Sequence, residues 1–476
     1  MSPFTPPYPP YDPIDTDGFS YETVSKRWPV ILTKLIDHIH RTNHELTVAG
    51  MQGGNDVEKN WEERVEEGKV IIGKVSKLKY EMARDRELQP VEEDEEADVD
   101  TYNLELTKLA EKGMNAWFKA PWLYAECYLY RTLRSWFSIT THWRYYDPFL
   151  AGKEDSFKAS SAAIYKLAAT MHELEETGAG LEKDPEKLAV LFNEMIQMCL
   201  WGNATDLSLL TNLTHEDILK LQSVGKDAQE ERKEYILHDD EKNAFQYLTT
   251  LRNARVDLVL DNAGFELFTD LVFADFLVTF TPYVSKVVFH PKSIPWFVSD
   301  VTPPDFIALF SSLKSETFFL EDAPSESSRS QLSILLQRWE KYIAIGAFEL
   351  SIPMETKLGE KNAMIDFWTS PYPYWDMSEK APVLFESLKK SGLVILKGDL
   401  NYRKLTGDVK WPASTPVSEA IGPLSGAFPT LSLRTSKADV VVGVDQAKAD
   451  ALDASGEKWR VNGKYAMISF VPKEGA

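Results

Sequence analysis

Cysteine is nearly absent: Cys127 and Cys199 are the two cysteines in 476 residues. That excludes a disulfide framework, and no C-x-x-C pair is present to hold zinc or exchange thiols. Both lie among apolar neighbours, which reads as two plain buried thiols. No apolar run approaches the roughly 18 residues that a membrane-spanning helix needs, and the amino terminus shows neither a basic leader nor an apolar signal core. The expected place is the cytoplasm, with the nucleus as a second compartment. Basic residues are the minority, 52 against 73 acidic, for a net charge of −21. Long-range repulsion then disfavours nucleic acid and anionic membrane as partners. A small anionic substrate is not excluded, because a few cations in a cleft outweigh surface charges screened beyond about 8 Å. Also missing are G-x-x-x-x-G-K-[ST], G-x-G-x-x-G after a strand, H-E-x-x-H and G-x-S-x-G, so P-loop, dinucleotide, zinc protease and serine hydrolase chemistry have no local support.

What is present divides the chain in three. Residues 1–18 carry six prolines (Pro3, Pro6, Pro7, Pro9, Pro10, Pro13) and read as an extended tail or a segment lying along the surface. Residues 19–240 are mostly helical: Leu32, Leu35, Ile36 and Ile39 fall at helical spacing, as do Ile71, Val75, Leu78 and Met82. Seven acids between Glu92 and Asp100 read as a solvated loop, without the glycine bend of a calcium site. The aromatic stretch Ala116–Arg131 would bury most of a helix. Its polar inclusions Glu126 and Arg131 either pair structurally or point into a site. Asp184-Pro185 starts a further helix that Gly202 ends, followed by a polar cluster from Asn203 to Ser208.

From residue 241 to 476 the pattern changes to short β-branched runs alternating with helices: Val256–Leu260, Lys286–His290, Leu393–Leu396, Val440–Val444 and Tyr465–Phe470, with Thr430–Leu433 as a further short run. That alternation predicts an α/β domain, a three-layer αβα arrangement around a largely parallel Rossmann-like sheet, on which the helical region packs.

In such a sheet, ligands bind beyond the carboxyl ends of the strands. Polar groups gather after four of these runs: Asp261 and Asn262, then Asp300, then Asp399 to Arg403, and finally Arg434 and Lys437. Two carboxylates and an amide make an all-oxygen set suited to Mg²⁺ or Mn²⁺, with Arg403 and Lys437 as cations for a phosphate. Each piece alone also reads as a helix cap, a turn or a surface charge.

Several longer strings join these points: Pro121–Arg131, Leu200–Leu209, Leu260–Leu267 (L-D-N-A-G-F-E-L), Ile294–Asp300, Lys397–Asp408 (K-G-D-L-N-Y-R-K-L-T-G-D) and Arg434-Thr-Ser-Lys437. In them the chain resembles the damage-control phosphatase family, in the subfamily marked by R-T-x-K that includes the acidic residue methyltransferase-like proteins. The resemblance implies a divalent-metal-dependent phosphatase of sugar phosphates such as fructose 1-phosphate and fructose 6-phosphate, with Mn²⁺ or Mg²⁺ first and Co²⁺ or Ni²⁺ second. It places the metal on Asp261, Asn262 and Asp300. Substrate would meet Glu266, the run Asp399, Leu400, Asn401, Tyr402 and Arg403, and Lys437, with Asn203, Asp206 and Glu126 lining the site. The alternative is S-adenosylmethionine-dependent methylation of protein glutamates, for which the glycine-rich loop that methyltransferases place after their first strand is missing. The oligomeric state stays open.

Overall fold

A computed structural model describes residues 4–52, 59–178, 180–202, 233–319 and 325–475. One sheet of seven strands organises it: β1 (Ile236–Asp239), β2 (Ala254–Val259), β3 (Val284–His290), β4 (Phe348–Leu350), β5 (Leu393–Lys397), β6 (Thr430–Thr435) and β7 (Ala466–Val471). Their order across the sheet is β1-β7-β6-β5-β2-β3-β4, and every neighbouring pair is parallel except β6 with β7. The expected α/β class with a largely parallel sheet is therefore what the chain adopts. The central strands are covered on both faces, and accordingly every residue of β5 and β6 is buried.

Two strands escape the sequence pattern because they are too short to show one: β1 has four residues and β4 has three. In the other direction, Val440–Val444 is not a strand. It is a buried irregular segment ending near Gly443, whose φ of +79° a side chain rarely adopts. Its backbone is held by other means: Arg434 Nη1 donates to the Val440 carbonyl, and the Val442 N–H donates to the Tyr402 hydroxyl. A β-branched run records burial, and burial alone does not make a ladder.

The hydrophobic core has two parts. The larger one joins the strands to the helices Ser161–Thr177, Pro185–Gly202 and Phe265–Phe280. The second is built by the helices Trp28–Gln52, Trp61–Ala83, Val99–Glu111 and Trp122–Ser138, through Trp28, Leu32, Ile71, Tyr102 and Trp122. That second core also takes in Ile294, Trp296, Phe297 and Ala438 from loops, and Leu400 from the helix after β5, all beyond the carboxyl ends of β3, β5 and β6. This helical layer is therefore a roof over the strand ends where the polar groups gather. Among the described residues no helix is long and apolar enough to cross a membrane.

The acidic run corrects an expectation. Asp94 and Glu96 are buried, not solvated: the Arg131 guanidinium donates to both Asp94 oxygens at 2.8 and 2.7 Å, and Arg134 pairs with Glu96 while also reaching the Leu358 carbonyl at 3.2 Å. Isolated carboxylates are costly to bury, but two arginines from the Trp122–Ser138 helix neutralise them. Arg131 thus pairs structurally. The proline-rich segment takes the second of its two expected forms and lies along the surface. The Tyr11 N–H donates to the Asp408 carbonyl at 2.8 Å, the Tyr11 carbonyl accepts from the Trp122 N–H at 2.9 Å, and Phe4 and Tyr8 meet Trp375 and Trp411 edge-on.

At the sheet edge, His238 of β1 lies 2.7 Å from the Gly443 carbonyl through Nδ1 and 2.8 Å from Asp240 Oδ2 through Nε2. With an acceptor at each nitrogen the imidazolium is the form both partners favour. Burial alone would lower its pKa, but Asp240 holds it above the usual histidine value. A raised folded pKa stabilises fully below the unfolded value of 6.5, and that gain is lost as pH rises through the folded pKa. His238→Gln is expected to cost about 1.5–3 kcal/mol at pH 5.5 and much less at pH 8.5. Urea unfolding at the two pH values measures the difference, and a cost that is the same at both would refute the charged contact.

Candidate active site

The stretch after β2 shows why this sequence places polar atoms where it does. The strand ends, Asp261 and Asn262 follow, and Gly264 at φ +75° turns the chain into the Phe265–Phe280 helix. Besides its backbone angle, Gly264 meets the Phe157 side chain so closely that an added Cβ would lie 3.2 Å from it. The loop after β3 returns beside this stretch. Asn262 and Asp300 form an antiparallel bridge, the Val301 N–H donates to the Asp261 carbonyl at 2.8 Å, and the Ala263 N–H donates to the Ser299 carbonyl at 2.7 Å. Asp261, Asn262 and Asp300 are each 2% exposed. Just before Asp300, Phe297 and Val298 have φ of +43° and +70°. A β-branched residue there is strained, and the strain aims Ser299 and Asp300 back toward Asn262.

The Asn262 amide is held on both sides. Its Nδ2 donates to Asp261 Oδ2 at 2.9 Å and to Glu266 Oε2 at 2.7 Å, and its Oδ1 accepts from the Ser299 hydroxyl. Lys292, fully buried, donates to the Leu260 carbonyl at 2.7 Å and pairs with Asp300 Oδ2 at 3.2 Å. It ties the two loops together.

The helix Gly398–Thr406 begins directly after β5, beside β2 in the sheet. Asn401 Nδ2 donates to the Lys397 carbonyl at 2.6 Å and the Leu260 carbonyl at 3.3 Å, closing the gap between the two strand ends. Asp399 Oδ1 accepts from Arg434 Nε at 2.7 Å and from the Lys437 N–H at 3.0 Å, which brings the turn after β6 into the same place. Asp399 Oδ2 is buried without a hydrogen-bond partner among the described residues. Asp261, Asn262, Glu266, Asp300, Asp399, Asn401 and Lys437 therefore all sit along the carboxyl edge of β6-β5-β2-β3.

Other predicted residues are brought near but used differently. Arg403 is not an open phosphate clamp. Its Nη1 donates to Glu126 at 2.6 Å and its Nη2 to Asp408 at 2.9 Å, while the guanidinium stacks 3.7 Å from the Trp122 ring. Glu126 is accordingly the partner of Arg403 and of Trp28 Nε1, at 3.1 Å, and joins the roof to the sheet. Leu400 packs into the roof core, and Tyr402 lies under Arg434 at 4.2 Å. Asn203 and Asp206 lie outside the described residues.

Three groups were not anticipated. Lys292 and Lys397 are single lysines whose partners are distant in sequence, Leu260 and Asp300 in loops for the first and Cys199, Glu266 and Asp270 on helices for the second, and nothing local marks them. Tyr374 comes from a short turn, Tyr374–Asp376, and donates to Asn401 Oδ1. Burial first, then the nearby Asp300 and Asp261, pushes its hydroxyl pKa well up, so it stays a donor. Burial pulls Lys404 down to about 8, and its ammonium donates to the carbonyls of Phe367, Trp368 and Ser370, holding that aromatic turn against the site. Lys292, Lys397, Tyr374 and Lys404 are each at most 1% exposed.

Among the described residues no three His, Cys, Asp or Glu side chains cluster to hold a metal ion. The set here is two carboxylates and an amide oxygen. Its all-oxygen donors fit a hard divalent cation, and the buried amide is held in one orientation that presents oxygen.

Comparison with known proteins gives the family. A model of the damage-control phosphatase ARMT1-like domain matches residues 23–452. The damage-control phosphatase ARMT1 of Xenopus laevis is 35% identical over 465 residues, covering 95% of this chain and 96% of its own. The human protein of that name is 34% identical over 469 residues, covering 96% and 97%. A crystal structure of a DUF89 family protein from Pyrococcus horikoshii covers 78% of this chain and 88% of its own at 14% identity, with a TM-score of 0.37, too low to argue from. With a matched domain spanning most of its length and relatives similar from end to end, the chain belongs to the damage-control phosphatase ARMT1-like family.

Proposed function

We propose that the protein is a divalent-metal-dependent phosphatase of sugar phosphate monoesters, of the fructose 1-phosphate and fructose 6-phosphate class. Family membership supports a phosphatase acting on small phosphorylated metabolites, in a family that generally depends on divalent metal. The observation that carries the finer reading is the convergence of Asp261, Asn262 and Asp300 with Asp399 and the Lys437 turn on one buried sheet edge.

Asp261, Asn262 Oδ1 and Asp300 would hold the ion, Mn²⁺ or Mg²⁺ suiting such donors best. A bound divalent ion supplies the positive charge that offsets charge developing on the phosphoryl oxygens. Lys437 would bind those oxygens, and the start of the Gly398–Thr406 helix turns backbone N–H groups toward the same edge, which favours an anion. Asp399 Oδ2, buried and without a donor, would accept from a substrate hydroxyl. That feature favours a polyhydroxylated substrate over a bare phosphate. Exclusion of water by the aromatic roof strengthens each of these contacts.

Phosphate release from a panel of sugar phosphates, measured with Mn²⁺, Mg²⁺ and after chelation, tests the reading. Turnover is expected with at least one ketose phosphate, falling by at least about 100-fold on chelation. No metal-supported release from any sugar phosphate, together with saturable S-adenosylmethionine binding by calorimetry, would favour the methyltransferase reading.

A further inference from the structure

Lys397 is the last residue of β5, fully buried, and its ammonium meets three acceptors: the Cys199 carbonyl at 2.8 Å, Glu266 Oε1 at 3.0 Å and Asp270 Oδ1 at 2.6 Å. An ammonium has three protons, so all are placed. Glu266 in turn spans two partners, Lys397 through Oε1 and the Asn262 amide through Oε2 at 2.7 Å. The second amide proton of Asn262 goes to Asp261 Oδ2 at 2.9 Å. Turning the amide over would set its oxygen against two carboxylate oxygens, so one orientation is selected. Its Oδ1 then lies on the side of Ser299, beside the Asp300 bridge.

We infer that Lys397 is a positioning residue for metal binding: by anchoring Glu266 it locks the Asn262 amide with its oxygen presented to the cation. The inference rests on the reading of Asp261, Asn262 and Asp300 as metal ligands. Lys397 itself would touch neither metal nor substrate. Its place on a strand is what makes the anchor rigid, since β5 pairs with β2 through Val256 to Val259, immediately before the ligand loop. A group hydrogen-bonded directly to a metal ligand typically tunes affinity by about 10- to 100-fold; Glu266 is that group here, and Lys397 acts through it from one bond further back.

Asp270 provides the control. It shares the ammonium with Glu266, accepts from the Cys199 thiol rather than from Asn262, and stands a full helical turn further along the Phe265–Phe280 helix. The experiment is Mn²⁺ titration by calorimetry on the full chain, with metal-free thermal melts alongside, for Lys397→Met, Lys397→Arg, Asp270→Asn and Asp300→Ala. The expected result is Mn²⁺ affinity weakened about 10-fold in Lys397→Met, the lower end of the range for a ligand's direct partner, partly restored in Lys397→Arg, and changed by less than about twofold in Asp270→Asn. If Lys397→Met does not melt cooperatively, Glu266→Gln replaces it: the side-chain volume is kept, the hold on Asn262 is altered, and the same weakening is expected. Equal affinity in the Lys397 or Glu266 variant and in Asp270→Asn, whether both unchanged or both weakened, would overturn the positioning role. Wild-type affinity in Asp300→Ala would instead overturn the metal-site reading beneath it.

Discussion

Asp300→Ala is expected to lower kcat/KM for metal-supported phosphate release by on the order of 10²–10³-fold or more, and Asp261→Asn to do the same. Both carboxylates are buried at the sheet edge. The stability effect has to be separated from the catalytic one. Asp300 Oδ2 lies 3.2 Å from the Lys292 ammonium, so alanine leaves a buried cation that still donates to the Leu260 carbonyl but has lost this counter-charge. Asp300→Asn keeps volume and an acceptor oxygen and is the milder variant. Measuring turnover per folded molecule, with the folded fraction taken from circular dichroism, isolates the chemistry. Wild-type turnover in both Asp261→Asn and Asp300→Ala would end the assignment of the metal set.

The largest loss of stability is expected at Arg131, far from the chemistry. Arg131 and Asp94 are 2% and 0% exposed, and the contact is bidentate. Arg131→Met leaves the Asp94 carboxylate buried with the Ser138 hydroxyl and the Glu96 N–H as donors, which is expected to cost about 3–5 kcal/mol. Replacing both partners, Arg131→Met with Asp94→Leu, removes the stranded charge and is expected to cost less than the single change. The pH dependence has a definite sign. Burial alone would raise the Asp94 carboxyl, but Arg131 and Ser138 hold it below the usual 3.8. A depressed folded pKa stabilises above the unfolded value and is lost as pH falls through the folded one. The gap between wild type and Arg131→Met should therefore be full at pH 7 and shrink below pH 3.8. Urea unfolding at both ends checks it, and a loss under about 1 kcal/mol at pH 7 would show that the pair behaves like a surface contact.

The two cases differ in how far they could be read in advance. Asp261 and Asn262 follow a run of apolar residues and precede a glycine, so their place at a strand end is a local property. Asp300 follows a second such run. Neighbouring strands in a parallel sheet bring such ends to one edge, and the register of β2 with β3, in which Val259 faces His290, does so here. Arg403 is the opposite case. It lies in the specific string K-G-D-L-N-Y-R, yet Glu126, 277 positions away, and Asp408 hold its guanidinium. No spacing announces that pairing. Lys397 was equally visible as a residue, and equally silent about Glu266 and Asp270.

Local pattern was enough for the α/β class, the parallel central strands, the helical amino-terminal half and the resemblance to a phosphatase family, because strand and helix periods and short motifs are written in contiguous residues. Burial of charge is a different matter. Whether Asp94 and Glu96 are hydrated or paired, and whether Arg403 faces a ligand or a carboxylate, depends on a partner's position to within an ångström or so. The same holds for Val440–Val444, which needed a neighbouring strand to be one itself. Those choices belong to the packing of the helical roof on the sheet, where groups hundreds of residues apart meet out of water and each ion must find its counter-charge.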